Sequence, residues 1–514
     1  MGLYDFTFYD LIRRNALTFG DRPAWMEATD GRSVSFREFK QHVDRLACGL
    51  QRAGIAHGQR IAVLGKNSLE YFMLYGAAAA LGAVVLPVNW RLSAEEVTFN
   101  INDGGAVMLM ASAEYQPLVD GIREKLETVK AFFNLEPDRG GYDDFNTLLD
   151  AGASPDPVEV HGSDGLVIIH TAAVAGRPRG ALLSHTNAVC ANLCLNLCFS
   201  LTERDVHLNL LPLFHVGGLF MATASFHAGA LNINMAKFDA AAAVDLIMRH
   251  DVSVMFDFSP ILSSLLDEAE KSGKHISALQ SVLGIDTPET IERYQKATGG
   301  TFYCLYGQTE TSALATLGRY DDRPGAAGRI IPLADVRLED EDGRPVAAGQ
   351  TGEICVRGPM VFKGYWNLPE DTEETFRHGW HHTGDMGRFD EEGYLWYAGR
   401  KPDKELIKPG GENVYPAEVE KAILAHPDVE EAVVFGVPDP KWKEGIKAVC
   451  RLREGATLAP ADLTRFVGSR IASYKKPQYV QFVDELPRTA GGGIDRAKVK
   501  ALYGGEQAPA SGGS

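Results

Sequence analysis

The chain lacks the commonest nucleotide and hydrolase signatures: it has no Walker-type phosphate loop, no G-x-G-x-x-G after a strand pattern, no HExxH and no G-x-S-x-G. Cysteine is sparse. Seven residues, an odd number spread over 514, exclude a disulfide framework and point to a reducing, cytoplasmic compartment. Cys190, Cys194 and Cys198 fall four apart and share one helix face, but no histidine or fourth thiol nearby completes a metal site, so they read as small core residues. Positive charge is also short. Fifty-one Lys and Arg against 68 Asp and Glu leave a net charge of −17, which excludes nucleic acid as an expected partner. No secretory signal is expected, because the N-terminal MGLYDFTFYDLIRRN carries acidic residues and no apolar core. One uncharged run, Tyr71 to Val88, has the length of a membrane span, but Gly82 and Pro87 interrupt it and its second half is β-like. It reads as a buried helix running into a strand, and no transmembrane segment is expected.

What is present is a chain of ordinary globular composition, 45% hydrophobic and 23% charged, long enough for three or four domain-sized units. Helix-like and strand-like stretches alternate: FREFKQHVDRLACGLQRAG then RIAVLG, the Ala-rich run then AVVLPVN, AEEVTFNINDG then AVMLMA. This predicts an α/β fold whose large N-terminal region layers helices on mostly parallel sheets. From about Gly325 the texture shifts to short strands and DG, EG and PG turns, predicting a small β-rich subdomain. After Arg400 a compact α+β pattern follows. The expected organisation is a large α/β region over 1–400, a small α+β domain over 401–502 and a disordered tail over 503–514. Charge supports the division, since residues 401–514 hold 17 Lys and Arg against 16 Asp and Glu while the rest is strongly acidic. Basic side chains of the small domain could meet a phosphorylated ligand, or the charges could simply balance on helix faces.

Residues 166–185, LVIIHTAAVAGRPRGALLSH, read as a buried strand, a loop of small residues and a helix beginning near Ser184. Such a loop lets backbone N–H groups approach an anion, with Arg177 and Arg179 adding charge, or it is a surface turn with two solvated arginines. Asp385 offers two acceptor oxygens suited to a ribose diol, and Arg400 has a fork suited to ribose and phosphate oxygens; an Asx-type turn and a surface ion pair are the plainer alternatives. Glu310 is a hard oxygen ligand suited to Mg²⁺ on a phosphorylated ligand and Thr309 can donate to the same oxygens, but taken by itself Glu310 reads first as a solvated loop acid. His215, in an apolar run, reads by itself as a hydrogen-bonded core residue; its neutral neighbours Phe220, Met255, Phe258 and Leu305 hint at an apolar or aromatic ligand instead.

Five ordered motifs give these residues a common setting. Thr171 to Gly180 resembles the phosphate loop TSGTTGxPKG of the adenylate-forming superfamily of acyl-CoA synthetases, luciferases and adenylation domains, and LPLFHVGG, YGQTE, HTGDMGRFDEEGYLWYAGR and GGENVYPAEVE follow in that family's order. The resemblance covers essentially the whole chain. It implies an AMP-forming acyl-CoA ligase that uses ATP, Mg²⁺ and CoA on a small carboxylic acid. It further implies nucleotide contacts from Thr171, Gly176, Arg179, Gly180, Tyr306, Thr309, Asp385 and Arg400, with Tyr306 near adenine and Glu310 on the metal. His215, Phe258 and Leu305 are placed at the acyl pocket, and Glu310, His215 and Arg400 in catalysis. Gly410 and Gly411 are placed on the pantetheine arm, and residues 401–405 at a hinge about which the small domain swings.

Three departures stand out. Ala172, Val174 and Ala175 replace the usual hydroxyls of the phosphate loop, and Arg179 stands where the family has lysine. LGIDTPET puts Asp286 and Thr287 where relatives have small residues; a carboxylate there contacts the adenine amino group or caps the helix starting at Pro288, and the cap is the favoured reading. LPRTAGGGIDR aligns with LPRTASGKIDR, so Gly493 occupies the position of the adenylation lysine. Losing that cation is expected to slow adenylation, with Lys475, Lys476, Lys498 and Arg177 as possible substitutes. The rival reading is an adenylation-impaired nucleotide or acyl-CoA binding protein; a luciferase-like or carrier-loading enzyme is a third.

Overall fold

A computed structural model describes residues 3, 5–137, 140–174, 177–401, 406–409, 412–440, 442–489 and 493–505, with backbone but not side chains for 172–174 and 177. Its contacts divide the chain into two compact units: residues 1–90, 101–169 and 180–399, and residues 91–100, 170–179 and 400–514. The division at Gly399–Arg400 falls where the sequence texture changes, but two short internal segments join the C-terminal residues.

The α/β reading holds for the first unit. One sheet of nine strands carries a parallel interior that includes Val206–Asn209, Val254–Phe258, Ser281–Ile285 and Thr301–Tyr306 as neighbours, with antiparallel strands at both edges. A second, seven-stranded sheet is parallel through Arg60–Leu64, Val84–Pro87, Ala106–Ala111 and Ala131–Asn134. The Ala-rich stretch is helix Leu69–Leu81, every residue of it buried, and Gly82 ends it at φ +65° before the strand Val84–Pro87. No described helix is long and apolar enough to cross a membrane. A helix this apolar belongs inside the core, and its one carboxylate, Glu70, pairs with Arg32. Neighbouring packing is aromatic, with Trp25 stacked on Phe72 at 4.6 Å and Phe39 tilted against it at 5.4 Å.

One expectation is corrected at residues 177–184. These form a strand, Arg177–Ser184, that lies beside Gly165–Val174 in the seven-stranded sheet rather than a loop leading straight to a helix. The ladder satisfies backbone groups that a buried loop would leave without partners. The helix follows as expected, His185–Phe199, capped by Ser184. The β-rich subdomain is a sheet of Asp335–Glu339, Gly352–Arg357, His381–Phe389 and Leu395–Arg400.

In the second unit the long hairpin Val429–Asp439 and Lys443–Leu452 takes Tyr479–Phe482 as a parallel third strand. Helices Pro416–Leu424, Pro460–Gly468 and Arg496–Tyr503 cover it. Residues 402–405 of the expected hinge and 506–514 of the expected tail lie outside the described residues.

Candidate active site

Four neighbouring parallel strands of the large sheet end on the same edge, and the residues after them carry much of the chemistry seen in the sequence: His215, Phe258, Asp286 and the segment 306–310. Ligand sites in open α/β sheets form outside the carboxyl ends of strands.

The 306–313 turn is shaped by sterics. Tyr306 ends its strand, and a Cβ on Gly307 would lie 2.1 Å from the carbonyl oxygen of Ala313, so only glycine fits there. Gln308 N–H donates to Thr311 Oγ1 at 2.9 Å, Thr309–Thr311 make one 3₁₀ turn, and Ser312 and Ala313 follow at φ +52° and +76°. Two successive non-glycine residues in the left-handed region are uncommon, and their strain marks a turn held by its surroundings. Glu310 is thereby buried, and Tyr365 Oη donates to its Oε1 at 2.8 Å.

Asp385 is the best-braced group of the site. Tyr306 Oη donates to its Oδ2 at 2.8 Å, Gln308 Nε2 donates to the same oxygen at 2.5 Å, and Tyr397 Oη approaches Oδ1 at 3.5 Å. Tyr306 and Tyr397 stack with ring centroids 6.2 Å apart. Gln308 also donates to the Thr383 carbonyl at 3.1 Å, and Thr383 Oγ1 accepts from Asp385 N–H, also at 3.1 Å. The structure therefore unites Tyr306 and Asp385, 79 positions apart, through Gln308 and Tyr397. Both of the added residues lie inside the quoted motifs, yet spacing alone gave them no role. Thr309 sits in the same turn, between Gln308 and Glu310.

His215 caps the helix Val216–Ala228, its Nδ1 accepting from Gly217 N–H at 3.2 Å. Its ring meets Phe258 edge-on at 6.1 Å, and Phe258 stacks on Phe256 at 5.2 Å. Leu305 is partly buried one residue before Tyr306. Of the apolar neighbours expected here, Phe220 is buried in the same core cluster as Phe256, whereas Met255 is buried in a different one. Met255 points to the opposite face of its strand from Phe256 and Phe258, as the period of two demands, so Phe256 is the aromatic neighbour the sequence reading missed. At Pro288 the helix cap is Thr287, which accepts from Thr290 N–H, while Asp286 accepts from Thr287 N–H at 2.7 Å.

Burial pushes the Cys304 thiol up to about 11 and does the same to Cys198, so neither is a thiolate nucleophile near neutral pH.

In the second unit, Thr171 Oγ1 donates to the Arg179 carbonyl at 3.3 Å, tying the two strands of the small-residue hairpin. Gly180 follows in the first unit, its carbonyl accepting from Trp366 N–H at 2.7 Å. Arg400 Nη1 donates to Tyr415 Oη at 2.8 Å, a contact 15 positions apart that was not read from the sequence. Gly176, Gly410 and Gly411 lie outside the described residues, as do the side chains at Ala172, Val174, Ala175 and Arg177. Gly493 is exposed, its carbonyl accepting from Thr489 N–H at 2.8 Å.

Of the candidate replacements for lysine at 493, Lys475 is already engaged. Its ammonium is buried between Glu96 Oε1 and Glu418 Oε1, both at 2.5 Å. Burial opposes its charge, but Tyr474, Glu418 and Glu96 outweigh that and hold the ammonium above its ordinary range. Burial raises Glu418, and Lys475 offsets this only in part. Burial would also raise Glu96, yet Lys475 and Ser93 together hold it below the usual carboxylate range. Lys476 and Lys498 are exposed.

The chain matches the family model described as AMP-binding enzyme over residues 12–366, and that described as AMP-binding enzyme C-terminal domain over 418–492. It is 36% identical over 481 residues to an indoleacetate–CoA ligase of Aromatoleum aromaticum, covering 92% of this chain and 93% of that one. It is 32% identical over 499 residues to the long-chain-fatty-acid–CoA ligase FadD13 of Mycobacterium tuberculosis, covering 96% and 98%. Among solved structures, o-succinylbenzoate CoA synthetase of Bacillus subtilis, bound to a product analogue, superposes with a TM-score of 0.85 at 26% identity, over 96% of this chain and 98% of that one.

Proposed function

The chain belongs to the AMP-binding enzyme family, and from that premise we propose how its site carries out the AMP-forming ligation of a carboxylic acid to CoA. ATP and CoA are its co-substrates. In the first half-reaction a carboxylate oxygen of the acid attacks the α-phosphorus of ATP and pyrophosphate leaves. In the second, the CoA sulfur attacks the acyl carbon, and AMP leaves while the thiol proton passes to solvent. Every bond made or broken lies on ligand atoms, which agrees with the absence of a thiolate nucleophile at Cys304 and Cys198.

Asp385 accepts both ribose hydroxyls in this reading. The observation that carries it is the bracing of that buried carboxylate by Tyr306, Gln308 and Tyr397, which fixes the acceptors before the nucleotide arrives. The family resemblance assigns Arg400 to ribose and phosphate oxygens and Thr171, Gly176, Arg179 and Gly180 to the nucleotide phosphates. Glu310 suits Mg²⁺: it is a single buried carboxylate, oriented by Tyr365, and this ion is commonly held by one or two carboxylates plus substrate phosphates. Bound there, the ion would neutralise phosphate charge. His215, Phe256, Phe258 and Leu305 stand at the acyl end, and the family resemblance assigns Gly410 and Gly411 to the pantetheine arm.

The preferred acid carries an aromatic or extended apolar group, supported by the stacked Phe256 and Phe258 and by the acids named for the relatives. The test is ATP-dependent thioester formation across a panel of arylacetic, cinnamic and fatty acids against short polar acids. Thioester with the polar acids alone would reverse the substrate reading; none with any acid would leave only binding.

Gly493 favours a second reading, in which adenylation is slow and thioesterification is intact. Offering a preformed acyl-adenylate with CoA separates the two, since the impaired step is then bypassed.

A further inference from the structure

One face of the β-rich sheet is polar yet buried. Arg337, Cys355 and His382 are partners in register across three strands, and Glu339 pairs with Glu353 two residues along, so all five side chains share a face by the period of two. The opposite face carries Val336, Leu338, Ile354 and Val356 in a hydrophobic cluster. Glu339, Glu353, Cys355 and His382 are each at most 5% exposed. Burying two carboxylates and an imidazole without partners is costly, so their occupants need an account.

Only part of that account is met within the protein. Glu353 takes His382 Nδ1 at 3.0 Å and Gly384 N–H at 3.0 Å. Glu339 forms an ion pair with Arg337, but neither of its oxygens accepts a hydrogen bond, and His382 Nε2, 3.7 Å from Glu339 Oε2, also lacks a hydrogen-bond partner. Cys355 Sγ lies 3.4 Å from Nδ1 of the same ring and donates to the Glu353 carbonyl at 3.6 Å, so it must turn toward the Nε2 side to share an ion with Glu339. One ligand atom each from Glu339, Cys355 and His382 falls within 4.8 Å of the others.

We propose that Glu339, Cys355 and His382 bind a structural divalent cation of the zinc class. The donor set is chemically suited, since thiolate, imidazole and carboxylate together favour Zn²⁺ over the hard Mg²⁺. Tetrahedral zinc with ordinary bond lengths holds its ligands about 3.4–3.6 Å apart, so closing the cluster needs side-chain shifts of about 1 Å. Nε2 is the ligating nitrogen and Glu353 is the outer carboxylate that accepts from Nδ1–H, the usual support for a metal-bound histidine. On coordination the Cys355 thiol gives its proton to solvent. Arg337 has somewhere to go when Glu339 turns to the ion, because its guanidinium already lies 4.2 Å from the Trp380 ring centroid and the residue is partly exposed. The ion braces the strand His381–Phe389, which carries Asp385 three residues after His382.

This site is independent of the ligase reading. The full chain, purified without chelator, is mixed with Zn²⁺ or Co²⁺ in excess Mg²⁺ and desalted. The expected result is one zinc per chain, a thiolate-to-cobalt charge-transfer band, and a melting temperature that rises with Zn²⁺. Cys355→Ser abolishes the band and His382→Gln releases the zinc; Glu353→Gln weakens binding about 10- to 100-fold, and Cys48→Ser, elsewhere in the fold, changes nothing. Absence of the band in the wild-type chain overturns the proposal whether or not a variant folds, as does zinc retained equally by Cys355→Ser and His382→Gln. Either result means that the cluster is held by hydrogen bonds and ion pairs only.

Discussion

The segment around Asp385 and the segment around Gly493 sit in different units and are built in opposite ways. Asp385 is buried and fixed by three donors, Tyr306 and Gln308 from a distant stretch of chain and Tyr397 from 12 residues on. Gly493 is exposed, offers no side chain, and stands where the family resemblance places a cation. On the function proposed above, the first region keeps a preorganised acceptor for the nucleoside, while the second lacks the charge that the family resemblance assigns to the transferring phosphate. Binding and chemistry are therefore separable here, because a preorganised group of the first kind acts on ground state and transition state alike whereas the lysine acts on developing charge.

The largest effect that sharpens this contrast comes from Lys475. Replacing it by Met leaves Glu96 and Glu418 buried without their shared cation, and a loss of about 3–5 kcal/mol in unfolding free energy is expected by chemical denaturation. An unchanged stability with abolished pyrophosphate release would make Lys475 the substitute for the missing lysine. Asp385→Ala comes next, with kcat/KM for ATP-dependent thioester formation falling about 10²- to 10³-fold, whereas thermal melts locate any collapse of the Tyr306–Gln308 brace. Gly493→Lys is expected to raise pyrophosphate release about 100-fold. The site has room for it, since a Cβ there meets nothing closer than Thr489 Oγ1 at 3.8 Å. No gain would move the defect to the hairpin of residues 171–180.

The smallest effect concerns acid sensitivity of the large unit. Burial depresses His185 and His207 from 6.5 to about 4, so the unfolded chain takes up their protons first and stability falls as pH drops from about 6.5 toward 4. His207→Gln, which retains a partner for Asn232, is expected to flatten that fall; an unaltered profile would assign it to other groups.

How much was legible varied with the kind of signal. The helices, the alternation of layers and the motif residues Tyr306, Glu310 and Asp385 could be read because each is carried by a short stretch of sequence. Residues 177–184 were misjudged because small residues and glycine do not distinguish a loop from a strand paired beside its own predecessor. Met255 was named as a ligand neighbour and Phe256 passed over because an apolar run has no visible alternation when both faces of the sheet are covered.

The amino-acid sequence by itself determined the chemistry on offer: a run of small residues over 171–180, carboxylates at Glu310 and Asp385, and a glycine rather than a cation at 493. Only the tertiary structure decided the partners. It set Gln308 and Tyr397 on Asp385, locked Lys475 between two carboxylates, and gathered Glu339, Cys355 and His382 on one buried face. The physical reason is that hydrogen bonds and ion pairs act over a few ångströms in space, and chain separation carries no record of which distant side chains folding brings within that range.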